Sequence, residues 1–306
     1  MTNARAAFGM GVTREAYHSS SGKFVRGLVD SATFACRDLM MARFSVCIPV
    51  YNGAAFIEQA LESVAAQSAS DIQVIVSDNA STDGTGAILE RWSTRLPMRV
   101  VTRPSTLPIL DHFNALLDEV DTEYYMVLCH DDYLVGSDAL ALAIDALDRN
   151  SDVSSVYCDL AYVSETRRKL ATRRFGRRGR FDADQTGMDS IRTTRNLFGI
   201  PLAVRRSALG SSRYDPFFQY AGDVDLSWTI GRSGPPFHID RPLIANRYGN
   251  ANSTWSMLAG AARELRYLAE KNGLRMDYAD RLRLGVTAFT VGQKKRLFGA
   301  YARLMS

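Results

Sequence analysis

"RFSVCIPVYNGAAFIEQALESVAAQ", residues 43–67, is the stretch on which the fold turns. Residues 43–50 form a short apolar run rich in β-formers, and Tyr51-Asn52-Gly53 ends it with turn chemistry. Ile57, Leu61 and Val64 then recur at helical spacing. A buried strand running straight into an amphipathic helix is half of a βαβ unit, and the same cadence repeats downstream. "IQVIVSD" (72–78) reads as a second strand, followed by a helix through Ile88, Leu89 and Trp92 that Ser81 or Thr82 would cap. "MRVVTR" (98–103) is a third strand, "PILDHFNALLDEV" (108–120) a helix and "EYYMVLC" (123–129) a fourth strand. This alternation predicts an α/β fold with a mostly parallel sheet flanked by helices.

Past residue 150 the pattern loosens. Residues 153–164 read as a strand, the basic run 167–180 as a loop and 235–249 as extended chain. Two amphipathic helices, 257–274 and 278–305, form a helical C-terminal appendage. The expected organisation is an extension over 1–42, an α/β domain over 43–255 and helices over 256–306. Rich in Gly, Ser, Thr and Arg with weak periodicity, residues 1–42 read as mostly disordered. Met40-Met41, just before the first strand, could be where translation starts. No internal repeat or linker demands separate domains.

Composition narrows the class. Of 306 residues, 46% are hydrophobic and 23% charged, ordinary for a chain with a packed core. Cys36, Cys47, Cys129 and Cys158 form no CxxC pair, which argues against a disulfide framework or zinc ribbon and fits a reducing cytosol. No stretch approaches the ~20 apolar residues of a membrane span, and the N-terminus lacks a signal-like apolar core. The expected location is cytoplasmic. A net charge of +4 says little, but residues 167–180 hold eight basic residues and no acid. With Phe175 as its one aromatic, that run has little on which to stack bases, so nucleic acid is a poor partner.

Three polar stretches fall at the carboxyl ends of the predicted strands, where ligands of parallel sheets collect. They are YNG (51–53), SDNASTDG (77–84) and CHDD (129–132). Asp78 could accept a hydrogen bond from a base or a ribose hydroxyl. In "MVLCHDDYL" (126–134) the adjacent Asp131 and Asp132 repel one another, so they belong either in open solvent or beside a cation. Convergence with the other strand ends favours the cation. No GxGxxG follows the first strand and no GxxxxGK[ST] occurs, so the common dinucleotide and P-loop cradles are missing.

In that order, "FSVCIPVYNGAAFIEQALESVAAQ", "VIVSDNASTDGT", "YYMVLCHDDYL" and "AGDVDLSW" resemble the motifs of the family-2 glycosyltransferases of GT-A fold. The resemblance covers about residues 43–255. It implies inverting transfer of a sugar from a nucleotide-sugar donor, with a divalent cation, Mg²⁺ or Mn²⁺, on the diphosphate. Pro49, Tyr51 and Asn52 would then frame the base, Asp78 would meet the nucleoside, and Asp131 and Asp132 the metal and diphosphate. Asp223 would be the general base, with Asp225 one step on. Arg247 falls in register with the family's Arg-x-His stretch. The family pattern is broken at Cys129, in place of the first acid, at Gly222, before the base, and at Gly249, in place of the histidine.

The implied acceptor is a saccharide or lipid-linked saccharide, as in surface polysaccharide or glycoconjugate synthesis. The basic run and the Lys294-Lys295-Arg296 helix suggest peripheral contact with the inner face of a membrane. The breaks in the motifs leave one alternative, a non-catalytic nucleotide-sugar-binding or scaffold protein. A nucleotidyltransferase would open with a Gly-rich basic loop, and "IPVYNGAAF" has no basic residue.

Overall fold

A computed structural model describes residues 42–248 and 260–304. The expected N-terminal extension and Gly249 lie outside the described residues. The strands are β1 (Phe44–Val50), β2 (Ile72–Asp78), β3 (Met98–Thr102), β4 (Tyr124–Val127), β5 (Tyr133–Leu134), β6 (Ser155–Val163), β7 (Lys169–Arg173), β8 (Gly179–Arg180), β9 (Pro201–Arg205) and β10 (Phe237–Arg247). The helices are α1 (Ile57–Ala65), α2 (Thr85–Ser93), α3 (Ile109–Leu117), α4 (Ala139–Asp148), α5 (Ala183–Thr193), α6 (Arg206–Leu209), α7 (Gly222–Gly231), α8 (Ala261–Lys271) and α9 (Tyr278–Leu304).

All ten strands join one sheet, in the order β3-β2-β1-β4-β9-β6-β10-β5, with β7 on β6 and β8 on β10. The half β3-β2-β1-β4 is parallel, as expected, and β9 enters antiparallel between β4 and β6. Because β1 is buried on both faces, its side chains divide by parity between two cores. Phe44, Val46, Ile48 and Val50 pack with Ile57, Leu61 and Val64 of α1. Cys47 points the other way, towards Leu116 and Leu117 of α3 and Leu226 and Ile230 of α7.

Pro49 sits in this central strand without breaking it. Cys47 O accepts from Leu128 N, so Cys47 and Pro49 turn their backbone polar groups towards β4. Pairing with β4 ends at Cys47–Val127, so the missing N–H of Pro49 falls where no partner strand remains.

Two expectations need correction. The helix after β2 starts at Thr85 with Gly84 before it, and neither Ser81 nor Thr82 caps it. Both are taken up by the neighbouring loop, with Ser81 Oγ accepting from Asn52 N and Thr82 N donating to Asn52 Oδ1. The basic run is not simply a loop. Residues 169–173 add a strand to β6, and the Arg173 and Arg177 guanidiniums turn onto the rings of Phe175 and Phe181. Stacking on aromatic faces lets those two cations leave bulk water, which composition alone does not show.

Candidate active site

The strand-end loops are stitched to one another before any ligand is considered. Asp78, 5% exposed, accepts the Ser81 N–H through Oδ1 at 3.0 Å. Gly53 N donates to Thr85 Oγ1 and Ala54 N to Asp83 Oδ2. Burial works against the ionised Asp83 carboxylate, but the bonds from Thr85 and Ala54 outweigh it and hold the pKa below the ordinary value. Asn52 (φ 49°) and Ala80 (φ 62°) both sit in the left-handed region, a strain of about 1 kcal/mol for a residue such as alanine. Gly53 is required by close approach, since a Cβ there would come 2.5 Å from Val50 Cγ2 and 2.6 Å from His130 Cδ2.

These ends open on a cavity of about 510 Å³. Pro49, Tyr51, Asp131, Asp132 and Asp223 line it, although they come from three distant parts of the chain. Asn52 and Asp78 do not line it; they form the loop behind. Tyr51 is 49% exposed, leaving a ring free at the mouth. Asn79, absent from the sequence reasoning, also lines the cavity and clamps Leu107 through both its backbone groups.

Asp132 is 4% exposed and held by the end of β10. Its Oδ1 accepts from Arg247 N at 2.9 Å and Asn246 Nδ2 at 3.1 Å, and its Oδ2 from the same Asn246 nitrogen at 3.0 Å. Three accepted bonds leave one lone-pair direction, on Oδ2. Burial, and then the neighbouring Asp131, push the Asp132 carboxyl well above the usual range. Arg247, itself 2% exposed, donates from Nε to the Asp131 carbonyl, from Nη2 to Gln59 and from Nη1 to the Glu165 carbonyl, and stacks over Phe56. The arginine in register with the family motif thus braces the backbone of the acidic turn.

Cys129, Asp131 and Asp132 bring one ligand atom each to within 4.8 Å of one another. Two hard carboxylates and a thiol suit a divalent cation, with the thiol inclining the set towards softer ions than Mg²⁺. Cys129 therefore offers a donor where the family has an acid.

Asp223 lies in the first turn of α7. Its side chain is open to the cleft, and no hydrogen bond reaches its carboxylate among the described residues. The surrounding walls still desolvate it, which raises its pKa above the ordinary value. Asp225 is different: it is 3% exposed, does not line the cavity and is paired with Lys271 Nζ at 2.8 Å.

The appendage anchors this helix. Glu264 of α8, 1% exposed, accepts the backbone N–H groups of Gln219, Tyr220 and Ala221 on one oxygen, at 2.9, 2.7 and 3.0 Å. Sequence reasoning missed it. The signal was there: Glu264 shares the buried stripe of α8 with Ala261, Leu265 and Leu268, and an acid on an apolar face needs a partner.

A sheet whose parallel strands end in a nucleotide-sized cleft, with paired acids after β4 and a cleft-facing carboxylate on a later helix, has the layout of the GT-A glycosyltransferases. Among solved structures, two examples share the fold. TarS 1–349 of S. aureus in complex with UDP-GlcNAc is similar at TM-score 0.61 and 17% identity, covering 78% of this chain and 69% of that one. The mannosyltransferase PcManGT of Pyrobaculum calidifontis in complex with GDP-Man and Mn²⁺ gives TM-score 0.55 at 17% identity, covering 90% and 82%.

Residues 45–209 match the model of glycosyl transferase family 2, and the chain belongs to that family. Among curated relatives, abequosyltransferase RfbV of Salmonella typhimurium is 29% identical over 133 residues, 40% of each chain. The chain thus spans well under two thirds of that relative's length.

Proposed function

We propose that this chain is an inverting, metal-dependent glycosyltransferase that moves a sugar from a nucleotide-sugar donor to a hydroxyl of a saccharide or lipid-linked saccharide. The observation that carries the reading is the convergence on one cleft of Tyr51, the Cys129/Asp131/Asp132 group and Asp223, unpaired among the described residues. Names of similar proteins support it: an abequosyltransferase, and structures holding UDP-GlcNAc or GDP-Man with Mn²⁺. By the same reading it serves surface polysaccharide or glycoconjugate synthesis, on the cytoplasmic side and in peripheral contact with a membrane.

In this reading Pro49 and Tyr51 receive the base, while Asn52 and Asp78 hold the loop that meets the nucleoside. Cys129, Asp131 and Asp132 would hold a divalent cation, which when bound supplies positive charge for the diphosphate leaving group. Asp223 takes the proton from the acceptor hydroxyl as its oxygen bonds to the anomeric carbon. The bond from that carbon to the diphosphate breaks on the opposite side, which inverts the configuration. Desolvation by the cleft walls strengthens the carboxylate as a base, because a raised pKa increases its proton affinity. Asp225 is already committed to Lys271 and has no such role.

The test pairs binding with turnover. Thermal shifts with UDP, GDP and dTDP, each with and without Mn²⁺, should give one metal-dependent response, about 2.7 kcal/mol at a hundred times Kd. Asp223→Asn should keep that shift and lose ~10²–10⁴-fold in transfer or donor hydrolysis. Wild type and variant equally inert with every donor, yet both binding nucleotide, would leave a binding protein instead.

A further inference from the structure

The described chain closes with α9, a helix of 27 residues and therefore about 40 Å long. Among the described residues it is seated on the body through one side. Leu284 and Ala302 are buried, Lys295 Nζ reaches the Tyr220 hydroxyl at 3.2 Å, and the Phe298 ring packs edge-on against Tyr248 at 5.0 Å. The opposite side is open and carries five exposed apolar side chains. Tyr278 is 82% exposed, Leu282 59%, Val286 60%, Phe289 68% and Leu297 72%. At ~100° per residue these five fall within an arc of about 100°, so they share one face, on which the exposed Gln293 separates Phe289 from Leu297.

Basic residues border that face. Arg283 and Lys294 run along one margin and Arg281 and Arg296 along the other; all four are exposed. None has a carboxylate within ion-pair distance among the described residues, and Asp280, half-buried, is the helix's one acid. At the start of α9 a second cavity of about 400 Å³ has Arg192, Arg275 and Arg283 at its edge, with Asp280, over a floor that includes Met188 and Leu284.

We infer that the outward face of α9 is a docking surface for an anionic lipid bilayer. An apolar stripe with cationic margins matches the layered chemistry of such a surface, where acyl chains lie beneath negatively charged headgroups. A second copy of the chain fits poorly, because stacking two such faces brings arginine and lysine margins together with no acid to balance them. The stripe would lie in the interfacial plane with the long axis of α9 parallel to the bilayer. Lys295 and Phe298, on the inner side, keep the helix attached to the body. This deepens the membrane contact named above, but it rests on α9 alone and draws nothing from the chemistry of the cleft.

The experiment is vesicle co-flotation of the full chain, without substrate, metal or nucleotide. Vesicles of phosphatidylcholine alone are compared with vesicles also containing phosphatidylglycerol, at low and high salt. The expected result is binding to the anionic vesicles at least ~10-fold stronger than to the neutral ones, weakened by salt. Leu282→Gln/Phe289→Gln/Leu297→Gln should abolish that binding, and Arg283→Gln/Lys294→Gln should reduce it. All five positions are solvent-exposed, so both variants should keep the wild-type melting temperature and nucleotide response. Absence of binding to anionic vesicles at low salt would overturn the inference. So would retention of full binding by the triple variant, or a wild-type dimer in solution that the triple variant converts to monomer. No lipid binding by the wild-type chain, with its nucleotide binding intact, refutes the surface and leaves the transferase reading standing.

Discussion

Glu264 is the most informative residue to remove. One of its carboxylate oxygens accepts three backbone N–H groups from residues 219–221, immediately before the helix that carries Asp223. Hydrogen bonds to a charged group contribute about 1.5–3 kcal/mol each, and an orphaned buried donor costs about 1–3 kcal/mol. Three such donors would give an upper bound near 9 kcal/mol, but they share one acceptor and one loop, so their costs are not additive. We expect Glu264→Ala to lose about 3–5 kcal/mol, the range for removing one member of a buried charged network. Glu264→Gln retains an oxygen acceptor without the charge and should lose about 1–3 kcal/mol. Urea denaturation reads both values. Because α7 shifts while the strand-end loops do not, kcat should fall in Glu264→Gln with KM for the donor nearly unchanged. A Glu264→Ala variant within ~1 kcal/mol of wild type would refute the argument, since three backbone donors cannot lose one buried acceptor so cheaply.

Other outcomes follow from the same geometry. Cys129→Asp should shift cation preference towards Mg²⁺, and titration with Co²⁺ should show a thiolate charge-transfer band in wild type that Cys129→Ser removes; an unchanged spectrum would exclude the thiol as a ligand. Asp223 must be ionised to act, so the acid limb of kcat/KM should lie above the ordinary carboxylate range, because the cleft walls desolvate the carboxylate and raise its pKa. Its effect on stability has the opposite sign: the folded state binds this proton more tightly, so the contribution is full below the unfolded pKa and lost as pH rises through the folded one. Asp223→Asn should therefore flatten that slope and slightly stabilise the protein at neutral pH, readable as melting temperature against pH. Gly53→Ala, which drives a methyl against Val50 and His130, should cost about 1–3 kcal/mol by thermal denaturation and weaken nucleotide binding.

The parallel half of the sheet was legible in the chain because its signals are local. The apolar runs of β1, β2 and β4, the 3.6-residue spacing of α1 and the turn residues at each strand end lie within a few positions of one another. Pro49, Tyr51, Asp131, Asp132 and Asp223 could be singled out for the same reason, since each belongs to a short motif. What those motifs touch could not be read. The carboxylate of Asp132 is fixed by Asn246 and Arg247, more than a hundred positions away, and the loop before Asp223 by Glu264, over forty away. The antiparallel entry of β9, and the strand made by the basic run, depend on which sheet edge each segment meets.

Helix α9 shows the division most clearly. Its apolar and basic residues are evident in the sequence, but periodicity cannot say which side faces the body. Helical spacing is a property of the segment, whereas burial is a property of its neighbours. The body takes Leu284, Lys295, Phe298 and Ala302, leaving Leu282, Phe289 and Leu297 outward, and that choice was made only by tertiary packing.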